Sequence, residues 1–445
     1  MRQRSITGPL ILILIGGAFL IHNLRPELFN WRLIGDYWPF LLIAIGLIGL
    51  VEALFYASRG QTPGPRPSSG SWLLWILVPF ILFAVLFDRG TFNRTRFDAP
   101  RFAVFGTDWD YDVNLTADAA GVKHIVLDNV RGNLSLKGDS DTQIRVTGHK
   151  SIRAISHGEA DHADRQSPVR IEREGDTAFI RGDAAGVQAA AQVSGDLDVA
   201  IPRGVSLESR TRTGDLTIDG IDGTVDVAAG RGDIRLSQIG GDVHISSSRG
   251  GLVHASELKG GFTLQGKGSD LELISVAGPV TINGEYSGTL EFRSLASPLR
   301  FTSARTEFRA EAIPGTVTMD LGDLRLNNVA GPVHFQTSSR DIYATDVTNA
   351  LDLTVNRGDI EITASRAPLP KIDAHSRNGD IEITLPGNAP FDLNATTAQG
   401  EVVNDFGGGL QTQSDGRRRT VLGKTGNGPQ ISLATERGSV SIRKG

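Results

Sequence analysis

A short phrase, Gly-Asp followed by alternating apolar and polar residues, recurs between Gly195 and Leu385. The apolar residues that open successive phrases are mostly 18 or 19 positions apart: Leu197, Leu216, Ile234, Leu252, Leu271, Leu290, Phe308, Leu324, Ile342, Ile360 and Ile381. A second apolar series lies about halfway between them: Val225, Val243, Phe262, Val280, Leu299, Val317, Val333 and Leu351. Such short-period self-similarity is typical of stacked coils. We therefore predict an all-β fold, a single-stranded β-helix or solenoid with about 18 residues per coil and two similar halves in each coil.

The spacing within each half-coil predicts a strand followed by a corner. Apolar residues alternate by two and then step by three, as in Ile234, Leu236 and Ile239. Alternation by two indicates a strand with one buried face, and the step of three marks the corner. Glycine-containing pairs lie at these corners and are expected to supply positive or fixed φ angles: Gly240-Gly241, Gly260-Gly261, Gly278-Pro279 and Gly331-Pro332.

The aspartates of the repeated phrase allow two interpretations. They stand in register directly before strands: Asp196, Asp215, Asp233, Asp270, Asp323, Asp341, Asp359 and Asp380. Calcium-binding β-helices need a Gly-Gly-x-Gly-x-Asp loop, whereas here one Asp precedes each strand. We favour turn capping by each Asp on its own backbone, with nearby arginines offsetting the charge: Arg212, Arg231, Arg249, Arg340, Arg357 and Arg377. The tripeptide Arg-Gly-Asp, at Arg181, Arg231 and Arg357, is either a cell-adhesion signal or, as we favour, a product of this composition.

Residues 1–90 differ from the repeats and predict a transmembrane region of about three helices. The apolar runs 8–24, 37–57 and 72–87 are each about long enough to cross a bilayer. Four of the five tryptophans lie near their ends, as in an interfacial aromatic belt. The first run is interpreted as a retained span rather than a cleaved signal peptide, because no small-x-small site follows Leu20.

A linker over 91–121 is expected to lead into a β-solenoid domain over 122–445. The linker holds the aromatic cluster Phe102, Phe105, Trp109 and Tyr111, which we expect to dock on the membrane or to cap the solenoid. Strands at Val122–Asp128, Asn133–Lys137 and Gln143–Gly148 should form the entry coils. Ile431–Leu433 and Ser439–Ile442 should form the terminal coil, after a basic bulge at Arg417, Arg418 and Arg419.

The repeat lapses at 151–166, which we predict to be an inserted helix or loop. It contains the densest group of potential metal ligands: His157, Glu159, Asp161, His162 and Asp164. A metal site needs convergent geometry, and a solvated insertion is the interpretation that we favour. Elsewhere, alternation places His244 outward and His254 inward. No catalytic, cofactor-binding or metal-binding residue is assigned, because neither a nucleophile elbow nor a phosphate loop occurs.

Composition narrows the function classes. The net charge of −5 over 445 residues gives no strongly basic face, so nucleic acid is not an expected partner. The chain has no cysteine, which excludes disulfides, thiolate metal sites and cysteine nucleophiles.

Two stretches resemble known bacterial families. The phrases Gly195–Gly204, Thr213–Ile218 and Arg231–Leu236 resemble a family of bacterial putative adhesins of unknown function, and this resemblance covers 122–444. Gly8–Gly17 and Tyr37–Gly46 are similar to the transmembrane region of LiaF-like envelope-stress proteins. The first resemblance implies a solenoid fold without a catalytic motif and attachment to, or export across, the cell envelope. The expected location is therefore the inner membrane, with the solenoid on its extracytoplasmic side.

We expect a non-enzymatic, membrane-anchored envelope protein whose solenoid serves adhesion, assembly or protein contact. Its expected partners are membrane lipid and other envelope proteins or surface polymers, and no cofactor is predicted. One alternative is an envelope-stress regulator that acts through its transmembrane helices. The other is a polysaccharide-active β-helix enzyme, which aromatic scarcity disfavours, since Tyr286 and Tyr343 are the only tyrosines between Gly195 and Leu385.

Overall fold

The computed structural model describes residues 106–139, 142–182 and 192–445. In chain order, the described elements are β1 (Thr107–Asp118), β2 (His124–Arg131), β3 (Leu134–Asp139), β4 (Gln143–Ala154), α1 (His157–Gln166), β5 (Val169–Glu174), β6 (Thr177–Gly182), β7 (Gln192–Pro202), β8 (Ser206–Thr213), β9 (Leu216–Asp219), β10 (Val225–Arg231), β11 (Ile234–Ile239), β12 (Val243–Ser247), β13 (Val253–Leu258), β14 (Phe262–Gly268), β15 (Leu271–Val276) and β16 (Val280–Tyr286). They continue as β17 (Leu290–Leu295), β18 (Leu299–Thr302), β19 (Thr306–Ala310), β20 (Ile313–Met319), β21 (Asp323–Asn327), β22 (Val333–Thr337), β23 (Asp341–Thr345), β24 (Ala350–Arg357), β25 (Ile360–Thr363), β26 (Lys371–Asn378), β27 (Ile381–Leu385), β28 (Asp392–Thr397), β29 (Val402–Asn404), the 3-10 helix η1 (Gly407–Gly409), β30 (Leu410–Asp415), β31 (Arg418–Lys424), β32 (Gln430–Arg437) and β33 (Val440–Lys444).

The strands form two sheets, and the regular coils contribute one strand to each. Sheet A has sixteen strands in the order β1-β4-β7-β3-β9-β11-β13-β15-β17-β20-β21-β23-β25-β27-β33-β29. The other strands pair in a second sheet, sheet B, whose middle runs β2-β8-β10-β12-β14-β16-β18. Most neighbouring strands are parallel and in register, so Ile234 pairs with Leu216 on one side and with Val253 on the other. This confirms the β-rich solenoid and its half-coils.

One apolar core fills the space between the sheets. Ile218, Ile234, Leu236 and Leu273 are at most 1% exposed, and they belong to a single cluster that extends along the solenoid. One predicted position is wrong by a residue, because Val253 rather than Leu252 occupies the buried register position. The shift reverses the parity of the following residues, so His254 points outward and the predicted inward placement of His254 is also wrong.

Stacked glycines let successive coils approach closely at one corner. A Cβ atom built on Gly260 would lie 2.3 Å from the carbonyl oxygen of Gly241, and one on Gly278 would lie 2.4 Å from the carbonyl carbon of Gly260. Neither residue has a positive φ angle. The predicted reason for the glycines at this corner is therefore wrong, since they are required for close backbone approach. At the same corner, one residue near the end of β11, β13, β15 and β17 is a non-glycine residue at positive φ: Gln238, Glu257, Ser275 and Ser294, respectively.

Within the coils from β7 to β27, the chain direction reverses over one stretch, between Thr302 and Asp323. Strand β19 runs antiparallel to both of its neighbours in sheet B, and β20 does the same in sheet A. Phe308 consequently lies in sheet B and Val317 in sheet A, so the two apolar series exchange sheets over this stretch and the predicted assignment of both residues is wrong. Alternation of apolar residues is the same in either chain direction and cannot report the reversal.

Both ends of the solenoid depart from sequence order. Strand β1, within the expected linker 91–121, pairs with β4 at the edge of sheet A. Strands β32 and β33 lie between β26 and β28 and between β27 and β29, respectively. The prediction that Ile431–Leu433 and Ser439–Ile442 form the terminal coil is therefore wrong, because their apolar pattern fits equally well between two earlier coils. The hairpin β30–β31, which carries Arg417–Arg419, lies at that edge of sheet B.

The predicted membrane spans and Phe102 and Phe105 lie outside the described residues. Among the residues that are described, no helix has the length and apolar character needed to cross a membrane.

Candidate interaction surfaces and the N-terminal cap

The outer faces of the sheets carry charged side chains that neutralise one another. On several strands an Arg pairs with an acidic residue two positions before it, on the same face: Arg210 with Glu208, Arg235 with Asp233, Arg293 with Glu291, Arg309 with Glu307 and Arg325 with Asp323. Arg325 also lies 4.4 Å from the centre of the Tyr343 ring. Pairs of this kind are partly exposed and contribute little to stability. They leave faces that are polar but locally balanced in charge.

Histidines link neighbouring coils on these faces. Nδ1 of His254 lies 2.8 Å from Oε2 of Glu272, and Nδ1 of His334 lies 2.9 Å from Oδ2 of Asp352. His244 points outward, as predicted, and lies 3.4 Å from Asp226. The partners in each of these three pairs are 18 residues apart, which is one coil.

The aspartates of the repeated phrase join one coil to the next. Oδ1 of Asp215 accepts a hydrogen bond from the backbone N–H of Asp233 at 2.9 Å, and Oδ1 of Asp233 accepts one from Leu252 at 3.0 Å. The same bond continues from Asp341 to Asp359 and from Asp359 to Asp380. The prediction of capping within a residue's own turn is therefore wrong in detail, because the acceptor serves the neighbouring coil. In the described ranges no group of three or more acidic or histidine side chains is arranged to hold a metal ion.

The ladder also accounts for two of the three Arg-Gly-Asp tripeptides. Asp233 and Asp359 each accept a backbone hydrogen bond from the adjacent coil through Oδ1. Asp233 additionally pairs with Arg235. Both carboxylates therefore have structural partners, while the third tripeptide extends outside the described residues.

The inserted segment forms a helix that packs on the edge of sheet A, and we call β1, β4 and α1 the N-terminal cap. Helix α1 buries Ala160 and Ala163 against Ile152 and Ala154 of β4, with Trp109 and Tyr111 of β1 packed beside them. Ser156 caps the helix by accepting from the N–H of Glu159 at 3.3 Å. The carboxylate of Glu159 accepts a hydrogen bond from the N–H of Ile155 at 3.1 Å. Together the two bonds form a reciprocal cap related to the capping box.

A buried lysine fixes the end of this helix. Lys150 is 5% exposed, and its Nζ lies 2.6 Å from Oδ1 of Asp164. The same ammonium donates to the backbone oxygens of Asp164 at 3.0 Å and Ser167 at 2.7 Å. A charge removed from water needs this degree of hydrogen bonding. Asp164, one of the candidate metal ligands, is therefore the counter-ion of Lys150.

A second polar cluster joins the helix to β1. The hydroxyl of Tyr111 donates to Oδ1 of Asp161 at 2.7 Å, and Nδ1 of His157 lies 2.9 Å from Oδ2 of the same carboxylate. Loss of hydration, followed by the bond to Asp161, raises the pKa of Tyr111 to about 12. The bond from Tyr111 is also the largest cause that lowers the pKa of Asp161. His162 remains exposed on the helix. Four of the five candidate ligands are thus engaged in capping, ion pairing or hydrogen bonding within the cap, and the fifth, His162, is exposed.

Comparison with known proteins bears on both parts of the chain. The family model described as Toastrack DUF4097 matches residues 122–443, and that of the LiaF transmembrane domain matches residues 7–105. No curated protein is found to match the chain.

Several solved structures align with about three quarters of the chain. A putative lipid binding protein from Parabacteroides distasonis is 13% identical, with 76% of this chain and 97% of that chain covered and a TM-score of 0.23. A putative adhesin from Bacteroides fragilis is 12% identical over the same shares, with a TM-score of 0.17. A putative cell adhesion protein from Clostridium sporogenes is 10% identical, covers 76% and 100%, and has a TM-score of 0.18. Such low scores carry no argument about this chain.

The two family models therefore match the same regions in which the repeats resemble adhesins and the apolar N-terminal runs resemble LiaF-like proteins. Because the first model spans most of the chain, from the entry strands to the last strand, its assignment does not depend on any single motif. The protein belongs to the Toastrack DUF4097 family, and its N-terminal region matches the LiaF transmembrane domain.

Proposed function

We propose that this protein is a non-enzymatic, membrane-anchored component of the cell envelope whose rigid solenoid presents surfaces for contact with other envelope components. One observation carries the proposal. The match to the LiaF transmembrane domain ends at residue 105, and the first strand of the solenoid begins at Thr107. The region that matches the membrane domain and the first strand of the solenoid are therefore adjacent in the sequence.

The construction of the solenoid supports a role in contact. Buried apolar residues continue from one coil to the next along the core. Hydrogen bonds of the aspartate ladder join successive coils. A repeat of this kind keeps its shape over a long distance and offers an extended surface.

Membrane attachment and sidedness can be tested together in cells. A protease recognition sequence inserted at Gly416 should be tolerated, because the hairpin is exposed and a Cβ atom added to Gly416 would have no other atom within 4 Å. We expect the full chain to remain in membranes after an alkaline wash. We also expect the inserted site to be cut by protease added to spheroplasts. Release by the wash, or cutting only after the cytoplasmic membrane is opened, would contradict the proposal.

A regulator is a second candidate, favoured by the LiaF transmembrane match. In that case the membrane domain would contact a signalling partner and the solenoid would report on the envelope. Cells that express residues 1–105 alone distinguish the two. An unchanged envelope-stress response in those cells would favour regulation by the membrane domain, whereas loss of the phenotype would favour a requirement for the solenoid surface.

A further inference from the structure

The solenoid has two ends, and each end presents strands that have a neighbour on one side only among the described residues. In sheet A these edge strands are β1 and β29. In sheet B, β5 pairs with β6 and β30 pairs with β31, and no second pairing partner of either strand lies within the described ranges. The backbone groups of an unpaired edge are a template for another strand. Both ends are therefore candidate interaction surfaces.

The apolar core is also incompletely covered at these ends. Within the described part of the chain, seven apolar side chains pack against the main core while remaining partly exposed. Tyr286 lies in a middle coil, and the other six lie in or next to the end strands: Val113, Leu115, Val169, Ile171, Val402 and Phe406. Stacked repeats bury apolar surface against their neighbours, so another solenoid end could cover these residues.

The two end strands of sheet B are aligned with each other along the solenoid. One row of in-register pairs crosses the whole sheet, from Ile171 of β5 to Thr412 of β30. Both strands have six residues. A second copy stacked along this row would place its Ile171 opposite Thr412 and its Arg170 opposite Gln413.

The directions of these two strands suit pairing. Strand β30 is antiparallel to β31, and β31 is antiparallel to β28. The two antiparallel pairings of β19 cancel each other, so β30 runs in the same direction as β6. Strand β5 runs in the opposite direction. In two copies stacked head to tail, β30 and β5 would therefore be antiparallel, which is the slightly more stable arrangement of two strands.

Strand β30 has little to hold it within its own copy. Every residue after Leu410, from Gln411 to Asp415, is exposed on whichever face of the sheet it lies. Its pairing with β31 is the contact that positions it among the described residues. A strand that is exposed on both faces and along one edge gains most from a partner strand.

The acidic residues of β1 lie at the corner that carries the repeated phrase. Asp110 and Asp112 are exposed and form no ion pair within the described residues. Asp112 is in register with His149 and, through it, with Asp196 of the first phrase.

Arginines occupy the same corner at the other end of the solenoid. Arg417 and Arg418 lie at the tip of the hairpin β30–β31, where both are exposed and form no ion pair among the described residues. The adjacent Arg419 is in register with Thr397 and, through it, with Thr435, directly before the last phrase. Head-to-tail stacking would bring opposite charges together, whereas head-to-head stacking would bring two acidic strands together.

We propose that two copies of this chain bind head to tail through the ends of their solenoids, with β30 of one copy pairing with β5 of the next. The partly exposed core residues of the two ends cover each other, and attraction between the hairpin arginines and the β1 aspartates sets the orientation. The contact is heterologous, so a free end can accept a further copy. This inference goes beyond the proposed place in the envelope and does not rest on it.

Cross-linking of the full chain in detergent tests the strand contact. The chain has no cysteine, so a short bifunctional thiol reagent reacts only with introduced residues. A mixture of Arg170→Cys and Gln413→Cys proteins should give a cross-linked dimer, because the two positions would be directly opposite. Gln265→Cys, exposed on a middle strand of sheet B, is the matched control and should not cross-link to Arg170→Cys. Equal yields in both mixtures, or an equal yield from Arg170→Cys alone, would overturn the head-to-tail contact.

Sedimentation velocity of the full chain in detergent tests the role of charge. The unaltered protein should associate as its concentration rises and should associate less at high salt. The double variant Arg417→Glu, Arg418→Glu and the double variant Asp110→Lys, Asp112→Lys should each associate at least about tenfold more weakly. A mixture of the two variants should recover the association, since an acidic end again meets a basic end.

The matched control is the double variant Arg249→Glu, Arg300→Glu, which makes the same charge change on exposed arginines of the middle coils and should associate normally. A chain that stays monomeric at every concentration would overturn the proposal and show that the charges keep the ends apart. Association that both end variants leave unchanged, or that the mixture fails to recover, would also overturn it.

Discussion

Two parts of the solenoid contribute strands to the same two sheets but are held by different contacts. These are the regular coils between Leu216 and Leu295 and the reversed coil between Thr306 and Met319. In the regular coils, glycines at the corner permit close backbone contact, and each aspartate bonds the next coil. The reversed coil has two hairpin turns in place of corners, and its strands run against both neighbours. The shared apolar core therefore accommodates strands that run in either direction, whereas these glycine and aspartate contacts occur between parallel coils.

A single arginine replaces the glycine contact beside the reversed coil. Arg340 stands directly before Asp341, where the phrases at Gly232 and Gly358 have glycine. Its guanidinium donates to the backbone oxygen of Asp320 in one turn and to the hydroxyl of Thr306, the first residue of β19 after the other turn. Burial lowers the pKa of Arg340, and Asp320 partly offsets this effect. Neighbouring regular coils are thus joined through close backbone contacts, whereas the reversed coil is joined to its neighbour through the long side chain of Arg340.

The largest expected effect concerns the glycine contacts of the regular coils. Gly260→Ala would place Cβ 2.3 Å from a backbone oxygen that cannot move without displacing a strand. We expect a loss of stability on the order of 3 kcal/mol, measured by urea unfolding of the full chain in detergent. Gly204→Ala is the matched control, since no atom lies within 4 Å of its Cβ, and it should change stability by less than about 1 kcal/mol. Equal effects would show that close approach is not the reason for the glycine.

The next effect concerns the arginine that joins the two turns. Arg340→Ala leaves the hydroxyls of Thr306 and Thr337, both buried, without their charged donor. We expect a loss of about 2 kcal/mol in the same unfolding measurement. Arg235→Ala, which removes an exposed pair with Asp233 in a regular coil, should cost less than about 1 kcal/mol. If the two variants are equally destabilised, the reversed coil does not depend on Arg340.

A smaller effect should separate the acceptor role of the ladder aspartates from their charge. Asp233→Ala removes the acceptor of the Leu252 N–H and should destabilise the solenoid by about 1 kcal/mol. Asp233→Asn keeps an oxygen at that position and should retain most of the stability, as measured by urea unfolding. A comparable loss in both variants would indicate that the carboxylate charge, rather than the ladder, matters.

The period of the apolar residues was enough to predict the solenoid, its coil length and its two half-coils. The reversal was not predicted, because a hairpin preserves the alternation of apolar and polar residues. Two signals of it are present in the sequence: the interval from Phe308 to Leu324 is 16 residues rather than 18, and Asp320-Leu321-Gly322 is a turn sequence. The placement of β32 and β33 could not be predicted either, since strand order depends on which partners are available and not on local pattern.

The surface was predicted less well than the core. Alternation predicted the outward side chain of His244 correctly. The prediction for His254 was wrong because one additional residue, Leu252, shifts the inward and outward positions of the following strand by one. The group from His157 to Asp164 was recognised as a cluster, but Tyr111 and Lys150, which bind its carboxylates, are distant in sequence and show no shared motif.

The smallest expected effect is a pH dependence confined to the N-terminal cap, which like Arg340 relies on long polar side chains. Tyr111 has a pKa of about 12 in the folded protein, above its usual value near 10. Between these values the unfolded chain loses the proton while the folded chain keeps it, so stability falls as pH rises through this range. Hydrogen exchange of β1 and α1 should therefore accelerate from pH 9.5 to about pH 11 beyond its intrinsic pH dependence. Tyr111→Phe should lose this additional acceleration, whereas Tyr343→Phe, on an exposed face far from the cap, should retain it. The same additional acceleration in all three proteins would mean that another group controls the alkaline opening of the cap.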